Sequence, residues 1–167
     1  MGCYPQLPGN SSHSMFDTMK TYLTAIDFSA ITPKVVKAAS ELATATGSKL
    51  VILHVAEIPP LRVPVGYAMD VVTPPAPMEP PDLSPIEERL EQIASPLRAK
   101  GLSVETIALI GVAPDEILGQ AKATHASMLI IGSHGHGALY QCFAGSVVTS
   151  VLHKSEIPVV VIPVHGK

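Results

Sequence analysis

Five strand-like segments divide the chain, and the middle three are apolar with little alternation, most plainly at Val51-Ile52-Leu53 and Met128-Leu129-Ile130-Ile131. A strand with one wet face alternates apolar and polar residues. A strand apolar on both faces has to be covered on both, which is the condition of a parallel sheet between two helical layers. The segments run Thr21–Asp27, Lys49–Val55, Leu102–Leu109, Ser127–Ile131 and Pro158–Pro163, with helix-like stretches between them, the pattern of an α/β fold. With 167 residues, 47% of them hydrophobic and 15% charged, the chain can build one domain around a single core.

Local signals place four helices. Thr32 is the expected N-cap of the first, with Pro33 at its first position and Gly47 at its end. Ser84-Pro85-Ile86-Glu87 reads as a capping box opening the second, which has Ile86, Leu90, Ile93 and Leu97 on one face and Pro96 kinking its last turn. The third spans about Pro114 to His125, with Asp115 and Glu116 in its first turn, and the fourth Ser146 to Lys154.

Two regions fall outside this alternation. Residues 1–18 read as a flexible tail of the kind an expression vector adds, with Met15 or Met19 as a candidate start, and 19–167 as the domain. Residues 56–83 form a proline-rich insertion holding eight of the chain's 16 prolines. A connection that long means either a flap over a ligand or an insertion that touches nothing.

Composition removes several function classes. A net charge of −3 without a Lys/Arg cluster leaves no electrostatic footprint for nucleic acid. No apolar run reaches the roughly 18–20 residues of a membrane span, so no membrane partner is expected. Cys3 and Cys142 lack metal-ligand spacing and no secretory signal precedes them, which points to a reducing cytoplasm. His134 and His136 have no third ligand candidate nearby, so no metal site is assigned.

The informative motif is Gly132-Ser133-His134-Gly135 followed by Gly145-Ser146, a Gly-x2-Gly-x9-Gly-Ser spacing directly after an apolar strand and before a helix. Glycines there allow backbone to approach an anion, and the helix start presents unpaired N–H groups with a positive dipole end. Between Ser127 and Leu152 there is no Asp, Glu, Lys or Arg. Phosphate would therefore be held by main-chain N–H groups, by Ser146 and by the imidazole of His134, without the lysine of a Gly-x4-Gly-Lys loop. Asp27, at the end of the first strand, can accept from ribose hydroxyls or an adenine amino group, help a divalent ion, or cap the following turn through Ser29.

Asp27, His54-Val55, Ile130-Ile131-Gly132-Ser133-His134-Gly135, Gly145-Ser146-Val147 and Ile157-Pro158-Val159-Val160-Val161 together resemble the universal stress protein family, in its ATP-binding branch. The resemblance covers about Thr21 to Val164. It implies a Rossmann-like three-layer sandwich with a five-stranded parallel sheet in the order 3-2-1-4-5. It also implies a nucleotide site that includes Ala25, Ile26, Asp27, Val55, Ile131 and Gly132, with Ala25 and Val55 as adenine-pocket walls. His134, Gly135, Gly145, Ser146, Val147 and Val148 would complete that site on the phosphate side. Members often carry a small or hydroxyl residue where this chain has Val148. The implied ligand is ATP, with ADP or AMP as alternatives and Mg2+ carried on the phosphates, and the implied assembly is a homodimer through strand 158–163.

The function expected is that of a cytoplasmic, stress-response regulatory protein, a dimeric module whose nucleotide occupancy is read by a regulatory protein partner. One alternative is a slow ATPase or phosphotransferase. The uncharged loop counts against it, since fast phosphoryl transfer needs positioned cations, and no catalytic residue is assigned. The other alternative is an interaction protein that binds AMP or another adenine nucleotide.

Overall fold

A computed structural model describes residues 19–57, 81–133 and 146–163. In chain order the elements are β1 (Thr21–Ala25), α1 (Thr32–Thr46), β2 (Lys49–Ala56), α2 (Ser84–Ala99), β3 (Val104–Ile110), α3 (Ala113–Ala123), β4 (Ala126–Gly132), α4 (Ser146–Lys154) and β5 (Val159–Ile162). The five strands form one sheet in the order β3-β2-β1-β4-β5, with every neighbouring pair parallel. This is the parallel sheet that the alternating segments predict, in the Rossmann-like order that the family resemblance implies.

The centre of the sheet is apolar on both faces because each face has its own helical layer. On one face, Val35, Val36, Ala39 and Ala43 of α1 and Leu90 and Ala94 of α2 pack on Tyr22, Leu50, Ile52 and Ile130. On the other, Ile117 and Ala121 of α3 and Val148 and Val151 of α4 pack on Leu23, Val51, Leu53, Leu129 and Ile131. Successive strand residues thus enter opposite cores, which is why Val51-Ile52-Leu53 and Leu129-Ile130-Ile131 need no polar alternation. β1 and β4 are further tied by the buried Thr24 Oγ1, which donates to the Ile130 carbonyl at 3.1 Å.

Two predicted caps are not realised. Thr32 is the first residue of α1, not its cap: its N–H donates to the Ser29 carbonyl at 3.0 Å, and the Lys34 and Val35 N–H groups a capping hydroxyl would use both go to the Ile31 carbonyl. Ser84 likewise lies inside α2, where Ile86 and Glu87 donate to the Leu83 carbonyl. The helix start is instead held by Asp82, whose Oδ1 accepts the Ser84 N–H at 2.9 Å. The Ser84 hydroxyl and N–H keep that carboxyl below the usual carboxylate range. α2 continues through Pro96 to Ala99. Strand edges also shift: β1 ends at Ala25, although the Ile26 N–H still donates to the Leu53 carbonyl, and Ala56, assigned to the insertion, closes β2. The tail 1–18 and insertion residues 58–80 lie outside the described residues.

Gly47 ends α1 at φ +62°, with its N–H returned to the last turn of the helix. A Cβ placed there would touch nothing within 4 Å, so the cost of a side chain is conformational alone. Gly47→Ala is expected to lower stability by about 1 kcal/mol in urea unfolding, with Gly47→Asn recovering part of it.

Candidate functional site

In an open α/β sheet, ligands bind beyond the carboxyl ends of the strands where the strand order reverses. Here the reversal lies between β1 and β4: the chain leaves β1 into α1 on one face and leaves β4 toward α4 on the other. A cleft of about 100 Å³ opens there, lined by Ala25, Ile26, Asp27, Ile31, Thr32, Val35, Ile131, Gly132, Val147 and Val148.

Most of the sequence-assigned residues converge on it. Ala25, Ile26 and Asp27 arrive from β1, Ile131 and Gly132 from β4, and Val147 and Val148 from the first turn of α4. Ser146 is the first residue of α4 and is exposed. Val55 does not line the cleft: it lies one strand away in β2 and packs against the α3/α4 face. His134, Gly135 and Gly145 lie outside the described residues. Sequence reasoning missed Ile31, Thr32 and Val35. Ile31, which precedes α1, and Val35 in its first turn form an i, i+4 apolar pair whose side chains share one face toward β4.

The loop carrying Asp27 is fixed by an unusual backbone. Phe28 has φ +58°, a left-handed conformation that costs a non-glycine residue on the order of 1 kcal/mol. Its ring is clasped on the α2 side: the Arg89 guanidinium lies 3.9 Å from the ring centroid, and the His54 ring is 4.5 Å away. His54 Nδ1–H donates to the Ile26 carbonyl at 2.9 Å, so the same histidine braces both the strand end and the aromatic ring. Asp27 then turns the chain, its Oδ1 accepting the Ser29 N–H at 3.1 Å. The turn-capping role is thus realised at an exposed carboxylate that also borders the cleft.

Chemically the cleft is an apolar slot. Asp27 is the one charged side chain among its described lining residues, and the start of α4 supplies N–H groups that the helix itself cannot pair. A larger groove of about 420 Å³ lies at the opposite end of the sheet, among Leu118, Lys122, His125, Lys154 and Ile157. It is remote from the strands' carboxyl ends, and its lysines face Glu156 at 3.3 Å and Asp115 at 3.1 Å. The strand reversal and the helix start therefore favour the smaller cleft.

Gly132 serves packing as well as access. A Cβ there would lie 3.0 Å from Val35 Cγ2 and 3.3 Å from Ile31 Cγ2. Gly132→Ala is expected to cost about 1–3 kcal/mol in urea unfolding. Adding Val35→Ala should make the double variant lose less than the sum of the single losses, because the collision disappears.

Comparison with known proteins follows the same lines. The sequence profile of the universal stress protein family matches residues 19–163. Universal stress protein YxiE of Bacillus subtilis is 30% identical over 152 residues, which is 89% of this chain and 99% of that protein. Universal stress protein MJ0577 of Methanocaldococcus jannaschii is 33% identical over 76 residues, 46% of this chain and 47% of that protein, so this match spans about half of either. Among solved structures, the Archaeoglobus fulgidus universal stress protein in complex with dAMP aligns with a TM-score of 0.58 at 22% identity, covering 86% of this chain and 97% of that one. A universal stress protein in complex with cAMP aligns with a TM-score of 0.62 at 20% identity, covering 88% and 98%. Profile, full-length relative and sheet order agree: the chain belongs to the universal stress protein family.

Proposed function

We propose that this protein binds an adenine nucleotide in the β1–β4 cleft, with ATP as the cellular ligand, and acts as a regulatory binding module in the cytoplasm. The observation that carries this reading is the convergence of Asp27, Gly132 and the start of α4 on one slot at the strand reversal. Two proteins of this fold, solved with dAMP and cAMP, support the ligand class. In the reading, exposed Asp27 accepts from the ribose hydroxyls, Ala25, Ile26 and Ile131 wall the slot, and the base extends across the end of β1 to Val55. The phosphates meet the N–H groups of Ser146, Val147 and Val148, with His134, Gly135 and Gly145 completing the cradle and Mg2+ riding on the phosphates.

Binding by neutral donors, with no lysine or arginine among the described lining residues, favours holding a nucleotide over rapid phosphoryl transfer. Calorimetric titration is expected to give heat with ATP, ADP and AMP, about tenfold weaker affinity in Asp27→Ala, and loss of binding in a folded Gly145→Val variant. No heat with any adenine ligand would refute the reading.

The module is proposed to work as a homodimer through strand 158–163, its occupancy read by a regulatory protein partner. β5 is an edge strand, and edges invite pairing. The Pro158 and Ile162 carbonyls face β4, where they accept the Leu129 and Ser133 N–H groups at 2.9 and 2.8 Å. By alternation Val159 and Val161 turn their backbone groups to the open edge. Sedimentation is expected to give twice the chain mass for the native protein and a folded monomer for Val161→Pro, which deletes one outward donor. A monomeric native protein, or a dimer indifferent to the proline, would contradict this interface.

A further inference from the structure

Two buried side-chain oxygens lack a hydrogen-bond partner among the described residues, Ser29 Oγ and Thr32 Oγ1. Both belong to the β1–α1 junction, within three residues of one another. Buried hydroxyls are nearly always paired, and each exception calls for a reason.

Thr32 is 6% exposed and lines the cleft together with Val147 and Val148. Its hydroxyl caps no helix N–H among the described residues. The first-turn N–H groups it could cap, those of Lys34 and Val35, are spent on the Ile31 carbonyl, and Pro33 has none. Valine would fill the same space without burying an unpaired polar atom. A buried donor on a residue that lines an apolar slot is suited to a ligand atom that arrives already desolvated.

The surroundings decide which atom. Asp27 is an acceptor at the exposed edge of the cleft and suits the hydroxyls of a sugar. Deeper in, the described walls carry no cation and no polar side chain but that of Thr32. The start of α4 borders the same space with N–H groups. We infer that the Thr32 hydroxyl donates to an oxygen of the phosphate next to the sugar, opposite the first turn of α4, and so sets the preference for nucleotide over nucleoside. This rests on the nucleotide reading above and adds α1 as a third element of the phosphate site.

The test compares AMP with adenosine by calorimetry in native protein, Thr32→Val and Thr32→Ser, alongside the thermal midpoint without ligand. A hydrogen bond to a charged acceptor is worth about tenfold or more in affinity. Thr32→Val should therefore weaken AMP at least about tenfold, leave adenosine within about twofold, and raise the ligand-free Tm by removing the unpaired hydroxyl. Thr32→Ser should keep AMP binding. Unchanged AMP affinity in Thr32→Val overturns the inference and leaves the nucleotide reading standing. A lowered ligand-free Tm alongside it would assign the hydroxyl to a bridging water. Equal losses for AMP and adenosine would overturn the phosphate assignment. Native protein that binds neither ligand removes the nucleotide reading and this inference together.

Discussion

Parallel strands can be joined only by crossovers, and a right-handed crossover puts its helix on a face fixed by the direction in which the chain moves along the sheet. In this chain the direction reverses once. From β1 the strands proceed outward to β2 and β3, with α1 and α2 on one face. The chain then returns to the other side of β1 for β4 and β5, with α3 and α4 on the opposite face. The reversal leaves the carboxyl ends of β1 and β4 flanked by helices that diverge, so a slot exists there before any residue is chosen for chemistry. The candidate site follows from that constraint.

Several features that look local serve to keep the slot in shape. The Thr24 hydroxyl clamps β1 to β4 beneath it. Gly132 lets the end of β4 approach α1 as closely as Val35 and Ile31 allow. Phe28, held left-handed between Arg89 and His54, turns the chain so that Asp27 stands at the edge and α1 begins immediately afterwards. Strain of order 1 kcal/mol at that turn is offset by packing that reaches across to β2 and α2. The β1–α1 junction is thereby braced from α2, β2 and β4.

Much of this was legible in the sequence, for identifiable reasons. Continuous apolar runs such as Val51-Ile52-Leu53 can be read because a two-sided core imposes them, and family resemblance supplied the strand order. α4 runs over Ser146–Lys154 as the glycine motif and the following apolar face suggested. Helix starts were misread at Thr32 and Ser84 because a hydroxyl before a proline has the composition of a cap, while the decisive fact is which carbonyl already holds the N–H groups downstream. The apolar pair Ile31/Val35 marks a buried face at the start of α1, but that this face meets β4 arises from tertiary approach, and Thr32 read only as a cap. Val55, assigned by analogy, lies one strand away in β2 against the α3/α4 face, so its part in the site depends on how far a base would extend past the end of β1.

The functional reading rests on an adenine nucleotide occupying the slot between β1 and β4. Chemical-shift mapping with methyl- and amide-labelled protein reports location as well as binding. On adding ATP the largest shifts are expected at Ala25, Ile131, Val147 and Val148, with the groove around Lys122 and Lys154 unchanged. Shifts confined to that opposite groove, or none at all at saturating ATP, would contradict it.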